Sequence, residues 1–515
     1  MRLINRISRF FSQRQYLLIF LIAASLFIYL QSDPTFADPD SFYHAKMAEV
    51  LAEQGAITEF PWLSATNLKY NFVDHHFLYH LILIPFVKLF SPLLGLKIAT
   101  VIFASLLILV FFWFLRQLKV KGAFWYTLFL LTVNPFIFRL NLAKAQPLVL
   151  IFLFLVIYLL FTRRYLPLIL ISCFYVWLYA GWPLLLILAV IYGLISSLWI
   201  YWQKGGFLLR LKKKKIHGQN LLLIFSILLG IAAGIFFSPY FPLNLGFYWQ
   251  QSFKIAVLNY QYSIGVGGEW YPYQFSKLLL AAVPFWFLFS LAVFIFTTNP
   301  KKQTMNSWFF LVLSFMFFVL TLKSRRYVEY FIPLAVCFSA LSLADFFALI
   351  KKNLYKLIPA RLVLLVPLLI FLALSPIFYR DLTSIKHSYQ KGFAFNEFAE
   401  PMQWLKENSK AGDIVFHSDW DEFPILFYHN SFNYYLVGLD PTFMYFYNPS
   451  LYRRWFDITT GQSSENLFET IKRVFGANYV FVNIQDNAAF DHNLANNFHF
   501  QKVFENKEAK IYKLD

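Results

Sequence analysis

The sequence predicts an α-helical polytopic membrane protein carrying an α/β domain at its C-terminal end, and three observations predict it. Only 14% of the 515 residues are charged and the mean hydropathy is +0.55, too apolar for a water-soluble chain of this length. Apolar runs near twenty residues recur, long enough to cross about 30 Å of hydrocarbon as helices. Beyond about residue 380 the composition changes. Residues 380–515 hold 17 of the 27 acidic residues but only 13 of the 45 basic ones, which marks them as a polar domain with a core of its own.

Taken in order, the first span, 16–31, follows Arg2, Arg6, Arg9 and Arg14 without a small-residue cleavage site, so it reads as a retained helix. An external loop, 32–93, comes next. Within it "HHFLYHLILIPFVKLF" (75–90) reads as a helix lying along the membrane surface, with His76 and His80 one turn apart. Were it a span, every later basic loop up to the tail would change sides. Ten further spans are expected at 94–115, 122–138, 147–162, 166–180, 184–202, 220–238, 278–297, 308–322, 331–350 and 362–379, about 11 in all. Basic residues gather at 116–121, 162–164, 204–215, 299–302 and 351–356, which marks those segments as cytoplasmic. The N-terminus is then cytoplasmic and the C-terminal domain extracytoplasmic, in a multi-pass protein of the plasma (inner) membrane. Topology accounts for the net charge of +18, and no nucleic-acid partner is called for. Cys173 and Cys337 lie inside apolar spans, so no external disulfide framework is indicated.

Two domains follow: residues 1–379 as the membrane part and 380–515 as the external part. In the latter, "EFAEPMQWLKEN" (397–408) has a helical period and "GDIVFHS" (412–418) is strand-like. "NYYLVGLD" (433–440) reads as a second strand, 466–484 as helix, turn and strand, and 499–515 as a hairpin. Such alternation indicates a layered α/β domain.

The chemistry-bearing residues cluster on the outer side. Asp38 and Asp40 flank Pro39 just after the first span. Carboxylates at this spacing, with Asp74, His75 and His76 on the same loop, suit a hard divalent cation such as Mg²⁺ or Mn²⁺. One of them can instead take a proton from an attacking hydroxyl. The plain reading is that Asp40 caps the helix "SFYHAKMAEVLAEQG". Arg325 and Arg326, at the outer edge of a span and close to Glu329, suit a phosphate at lipid-headgroup depth, or a simple interfacial anchor. "GVGGEWYPY" (265–273) is a Gly-rich loop carrying Glu269 among aromatics. "SDWDEFPILFYHN" (418–430) follows a strand and offers Asp419, Trp420 and Asp421 to an acceptor. No Walker loop, dinucleotide fingerprint, zinc spacing or Ser/His/Asp signature is present.

Four stretches together resemble the GT-C superfamily of membrane glycosyltransferases, and within it the oligosaccharyltransferase catalytic subunits and their bacterial relatives. "ADPDSFYHAKMAEVLAEQG" is similar to the family's first external loop with its D-x-D-like motif. "NPFIFRLNLAKAQPLVL" (134–150) stands where the second external loop falls, "YVWLYAGWPLLLILAVIYG" (175–193) resembles an aromatic helical hairpin, and 415–440 resembles the W-W-D-Y-G region. Two departures are plain. Lys144, Ala145 and Gln146 stand where the resemblance places a second acidic pair, and the fourth stretch reads D-W-D-E-F. Either the metal site is rebuilt from Asp74, His75 or His76, or catalysis uses no metal.

The resemblance implies a glycosyltransferase taking sugar from a polyprenyl-phosphate donor to an extracytoplasmic acceptor. Asp38 is then the base, Asp40 its helper, Arg325 and Arg326 the donor-phosphate residues, and Glu269 the family's loop glutamate. The alternatives are an oligosaccharyltransferase using a lipid-diphosphate donor, or a transporter or non-catalytic membrane partner with an external binding domain. Spans nearly free of charge argue against transport.

Overall fold

In the computed structural model, which describes residues 2–202, 207–258, 260–261, 263–357 and 360–514, the apolar runs are helices and the polar tail is built on a sheet. Contacts divide the chain into two units. The first comprises 1–33, 100–236 and 269–390; the second comprises 34–99, 237–268 and 391–515. The basic segment 204–215 lies partly outside the described residues.

The first unit is helical. Among the described residues five helices are long and apolar enough to cross a bilayer alone: Pro92–Gln117 (which begins in the second unit), Ile216–Phe236, Met305–Lys323, Arg325–Phe347 and Leu368–Gln390. Two bent pairs raise the number to seven: Ala123–Leu130 with Asn134–Asn141, bent by 72°, and Phe275–Ala281 with Val283–Thr298, bent by 100°. Each bend has a proline at the start of its second helix, Pro135 and Pro284, where a missing N–H and a steric clash stop the preceding helix. The remaining expected spans fall on the shorter apolar helices Arg14–Leu30, Gln146–Thr162, Tyr165–Leu178 and Pro183–Trp199. Helices therefore stand at every position where the sequence predicts a span, and five to seven of them meet the length required. Gly230 and Gly234 let the helix Phe207–Phe236 lie against Tyr165–Leu178. A Cβ on either would come within 2.4 Å of Ile169 O or 2.6 Å of Cys173 O, so only glycine allows this approach.

The second unit gathers three separated segments round a five-stranded sheet. Its strands are β3 (Ile414–His417), β4 (Tyr434–Tyr435), β5 (Ala477–Asn483), β6 (Phe500–Glu505) and β7 (Ala509–Leu514), in the order β4-β3-β5-β7-β6. β3 pairs in parallel with β4 and β5; β7 is antiparallel to β5 and β6. Val480, Phe481 and Val482 are all fully buried, as befits a central strand covered on both faces. The second predicted strand is cut to two residues because Gly438 packs so tightly on Phe423 that a Cβ there would lie 2.3 Å from its ring, and Leu439 follows with a positive φ of 67°.

Residues 34–99, which follow the first predicted span, are part of this unit. A two-stranded sheet joins β1 (Thr35–Phe36) to β2 (Phe393–Ala394), and Ser64 N and Ala65 N donate to the carbonyls of Tyr435 and Leu436. The helix Asp40–Gln54 lies against Phe423–His429, with Phe42 and Tyr428 edge to face at 5.7 Å. The stretch 75–90 forms the helix Phe77–Leu89 and also belongs here. A single boundary at residue 380 therefore misses residues 34–99 and 237–268, which are tied to the tail by hydrogen bonds and ring contacts rather than by composition.

Candidate functional site

In the second unit, Asp40 is the first residue of the helix Asp40–Gln54, whose buried face (Phe42, Tyr43, Met47, Val50, Leu51) runs to a stop at Gly55 with φ of 73°. Asp38, not Asp40, supplies a cap: its Oδ1 accepts from Asp40 N at 3.0 Å. Both carboxylates are half-buried. The loop after β3 brings a second acidic group. Asp419 Oδ1 accepts from Trp420 N at 2.7 Å. Glu422, buried, accepts from Ser418 Oγ at 2.8 Å and from Asp419 N at 2.9 Å, so it, rather than Asp421, braces the strand-to-helix turn. His417, also buried, holds the loop from below. Its Nδ1 meets Asp419 O at 2.7 Å, its Nε2 accepts from Val437 N at 3.4 Å, and burial lowers its pKa to about 4, so the ring is neutral.

These two acidic groups influence each other. The Asp421 carboxyl is pushed up to about 7 by burial, by Asp419 and by Asp40. The sequence treats Asp40 and Asp421 as members of separate sites; the fold puts them within electrostatic reach. A stability signature follows. The folded chain keeps a proton on Asp421 that an unfolded aspartate, with an ordinary value of 3.8, has already released. Stability from this group is therefore full below about pH 4 and falls as pH rises through about 7. Asp421→Asn is expected to gain melting temperature over wild type at pH 8, less at pH 5 and little at pH 4. A pH-independent difference between the two proteins would assign Asp421 an ordinary carboxylate.

Asp74 has a different role from the one its spacing suggests. It is 4% exposed; its Oδ2 lies 2.6 Å from His80 Nδ1 and its Oδ1 accepts from His76 N. His80 Nε2 in turn lies 2.8 Å from His44 Nδ1. Asp74, His80 and His44 thus form a buried chain of side-chain contacts. The rings of His75 and His76 lie 4.1 Å apart, tilted by 43°. The cation site expected from Asp38, Asp40, Asp74, His75 and His76 is not assembled. Among the described residues no group of three or more His, Cys, Asp and Glu side chains is arranged to hold a metal ion.

In the first unit a buried ladder of charges forms around Glu269. Arg139, on the short helix after the first bend, donates from Nε to Glu329 Oε2 and from Nη1 to Glu269 Oε2, both at 2.8 Å. Arg326 Nη2 donates to Tyr179 Oη at 3.0 Å and lies 3.8 Å from Glu269 Oε1, and its guanidinium sits 4.3 Å above the Trp270 ring. Ser324 Oγ donates to Glu269 O at 2.8 Å and fixes the loop. Burial raises the Glu269 carboxyl, but Arg326, Lys144 and Arg139 outweigh it and hold the group well below the ordinary carboxylate range. The two adjacent arginines part company: Arg326 is inside this ladder, whereas Arg325 is exposed and its Nε meets Pro272 O at 3.3 Å. Arg139 escaped the sequence reading because one arginine beside an apolar run looks like an interfacial anchor. Lys144, standing where carboxylates are expected, was the available signal. Arg139 and Glu329 lie just outside the predicted spans 122–138 and 331–350 but within the helices Asn134–Asn141 and Arg325–Phe347, where both are buried.

Comparison with solved structures places this architecture. Oligosaccharyltransferase AglB from Archaeoglobus fulgidus, in complex with an inhibitory peptide and a dolichol-phosphate, is similar over 98% of this chain and 75% of its own, with a TM-score of 0.66 and 13% identity. The apo form of the Archaeoglobus fulgidus enzyme gives a TM-score of 0.64 at 13% identity over 92% of this chain and 70% of its own. The chain shares the fold of these oligosaccharyltransferase structures. Arabinofuranosyltransferase AftD from mycobacteria shares the fold at a TM-score of 0.50 and 12% identity, with 98% of this chain matching 40% of that one. The sequence matches no protein-family model and no curated protein. One Archaeoglobus fulgidus structure is a complex with Zn and sulfate. In the present chain Lys144, Ala145 and Gln146 offer no carboxylate, Glu269 is already neutralised by cations, and Asp74 is engaged by His80. These residues do not fit a divalent ion.

Proposed function

We propose that this chain is an inverting membrane glycosyltransferase that moves a sugar from a polyprenyl-phosphate donor to an extracytoplasmic acceptor. The observation carrying the proposal is a GT-C fold over nearly the whole chain with Asp38 and Asp40 at the head of an external-type helix and Asp421 within reach of Asp40. Asp38 takes the proton of the attacking hydroxyl as its oxygen bonds to the anomeric carbon. The bond from that carbon to the phosphate oxygen breaks, and the electron pair leaves with the phosphate. Asp40 positions the acceptor, and Asp419, Trp420 and Asp421 form an acceptor loop at the end of β3, where α/β sheets place ligands. Arg325 and Arg326 hold the donor phosphate, with Glu269 orienting Arg326. The N-terminus is cytoplasmic and the C-terminal domain, 380–515, extracytoplasmic.

Comparing lipid-linked sugars and surface glycans by mass spectrometry, with and without the protein, tests the reading. One lipid-linked sugar should accumulate while one glycan loses a residue. An unchanged profile of both would overturn it. Replacing Arg325 and Arg326 by Lys keeps the charge and removes the fork, so donor KM should rise with acceptor KM unchanged. The opposite pattern would move these arginines to the acceptor. The oligosaccharyltransferase alternative, with a lipid-diphosphate donor, is supported by the likeness to AglB, and a diphosphate product in the same assay would select it.

A further inference from the structure

We propose that residues 237–258 are a monotopic membrane anchor: the two helices there lie flat in the bilayer interface, with their apolar row among the acyl chains, and moor the second unit to lipid. The inference concerns a surface rather than the site of chemistry and does not depend on the transferase reading.

The polarity of this segment is inside out. The helices Leu243–Tyr248 and Trp249–Leu258 run end to end, the second with the wider turn of a π-helix. Leu245, Trp249, Phe253 and Val257 recur at every fourth position, and each is between 44% and 59% exposed. The rings of Trp249 and Phe253 stack at 4.6 Å, so the row is continuous. Gln250 and Lys254 turn the other way, into the second unit. Gln250 Oε1 accepts from Asn67 Nδ2 at 3.1 Å, and Lys254 Nζ lies 4.8 Å from the centre of the Phe446 ring. Asn244 is fully buried. A helix facing water has the opposite arrangement, apolar side in and polar side out. An apolar row of this size left bare on a water-facing surface marks an interaction site.

Chain continuity identifies the occupant. The helix Ile216–Phe236 is one of the helices of membrane-crossing length, and its 21 residues rise about 31 Å, the thickness of the hydrocarbon core. The crossing is therefore complete at Phe236. The 16 residues of Leu243–Leu258 reach about 24 Å at most, too short to cross again but long enough to lie along the interface. On the span, Leu221, Phe225, Leu229 and Phe236 are exposed as lipid-facing residues are. From Leu221 to Leu258 every exposed residue among those described is apolar, glycine or proline. The lipid-facing surface thus continues past the end of the span without a polar break, and Trp249 stands where tryptophans gather at membrane boundaries. Because the exposed row carries no charge, acyl chains rather than anionic headgroups are what it fits.

The experiment uses the full chain carrying Cys173→Ala and Cys337→Ala, reconstituted in phosphatidylcholine nanodiscs. Trp249→Cys, Phe253→Cys and Val257→Cys, with Gln251→Cys as the control, each receive one nitroxide label. Power saturation by electron paramagnetic resonance then compares collisions with oxygen, which partitions into lipid, and with a water-soluble nickel chelate. Labels at 249, 253 and 257 should lie at similar depth, about 5–10 Å below the headgroup boundary, and the label at 251 should not. Melting temperature checks that each variant folds, and the three positions report separately, so loss of one variant leaves the test intact. Free collision with the nickel chelate at 249, 253 and 257 overturns the anchor. Shielding from both reagents overturns it too: with dipolar broadening it places a second copy of the chain on the row, and without broadening it places the row inside the chain's own fold. A depth that climbs steadily from 249 to 257 would make the segment part of a span, against the proposal. Insertion that appears only when anionic lipid is added would assign the contact to Lys254 and headgroups, and would likewise overturn it.

Discussion

Asp38→Asn protein should fold, insert and bind donor, yet transfer sugar about 10²–10⁴ times more slowly than wild type. The amide keeps the carbonyl oxygen that accepts from Asp40 N, so the head of the helix Asp40–Gln54 is unchanged. Charge and basicity are what the substitution removes. Asp40→Asn should cost less, because Asp40 positions rather than accepts the proton. The measurement is single-turnover transfer from a short-chain polyprenyl-phosphate sugar, with circular dichroism and melting temperature as controls for folding. If Asp38→Asn turns over like wild type, Asp38 is a helix cap and nothing more.

The second large effect concerns stability. Glu329 is fully buried and accepts a hydrogen bond from Arg139 Nε at 2.8 Å. Glu329→Leu leaves Arg139 Nε buried without its acceptor and the guanidinium with Glu269 as its remaining carboxylate partner among those described, at a cost of up to about 3–5 kcal/mol. Replacing both partners, Glu329→Leu with Arg139→Leu, should recover much of the loss, because Glu269 keeps Arg326 and Lys144. Thermal unfolding in detergent of the two single variants and the double reads the coupling directly. A Glu329→Leu protein as stable as wild type would mean that the pair contributes no net stability.

Composition and period alone revealed the helices, the extra polar domain and the strands at 414–417, 477–483 and 500–514, because each is written in consecutive residues. The helices Thr442–Tyr447, Pro449–Thr459 and Ala488–Ala495 were not predicted, and Phe423–His429 only as the helix that a strand-to-helix turn at Asp421 would lead into. Phe423–His429 and Thr442–Tyr447 are only seven and six residues long, too short for a helical period to stand out, whereas Pro449–Thr459 carries one, burying Tyr452, Trp455 and Ile458 three residues apart. At the site, Asp38, Asp40, Glu269 and Arg326 were visible as polar residues in apolar surroundings. The contacts among Asp74, His80 and His44 were not, since His80 and His44 are 36 residues apart and nothing local pairs them. Arg139 and Glu329, 190 residues apart, are the same case. Sequence spacing reports neighbours along the chain, whereas buried charges find partners across it.

The patchwork origin of the second unit has a consequence for how the protein is made. Its first segment ends at residue 99 and its last begins at 391. At about 5–20 residues per second, a ribosome needs roughly 15–60 s to cover the interval. Throughout that time the strand at Thr35–Phe36 has no partner strand, and Phe42 lacks the ring of Tyr428 against which it finally packs. Residues 34–99 therefore wait as a sticky, half-dressed surface. A nascent chain stalled or cleaved before residue 391 should be held by chaperones and then degraded, and it should never display a finished carboxylate pair to substrate.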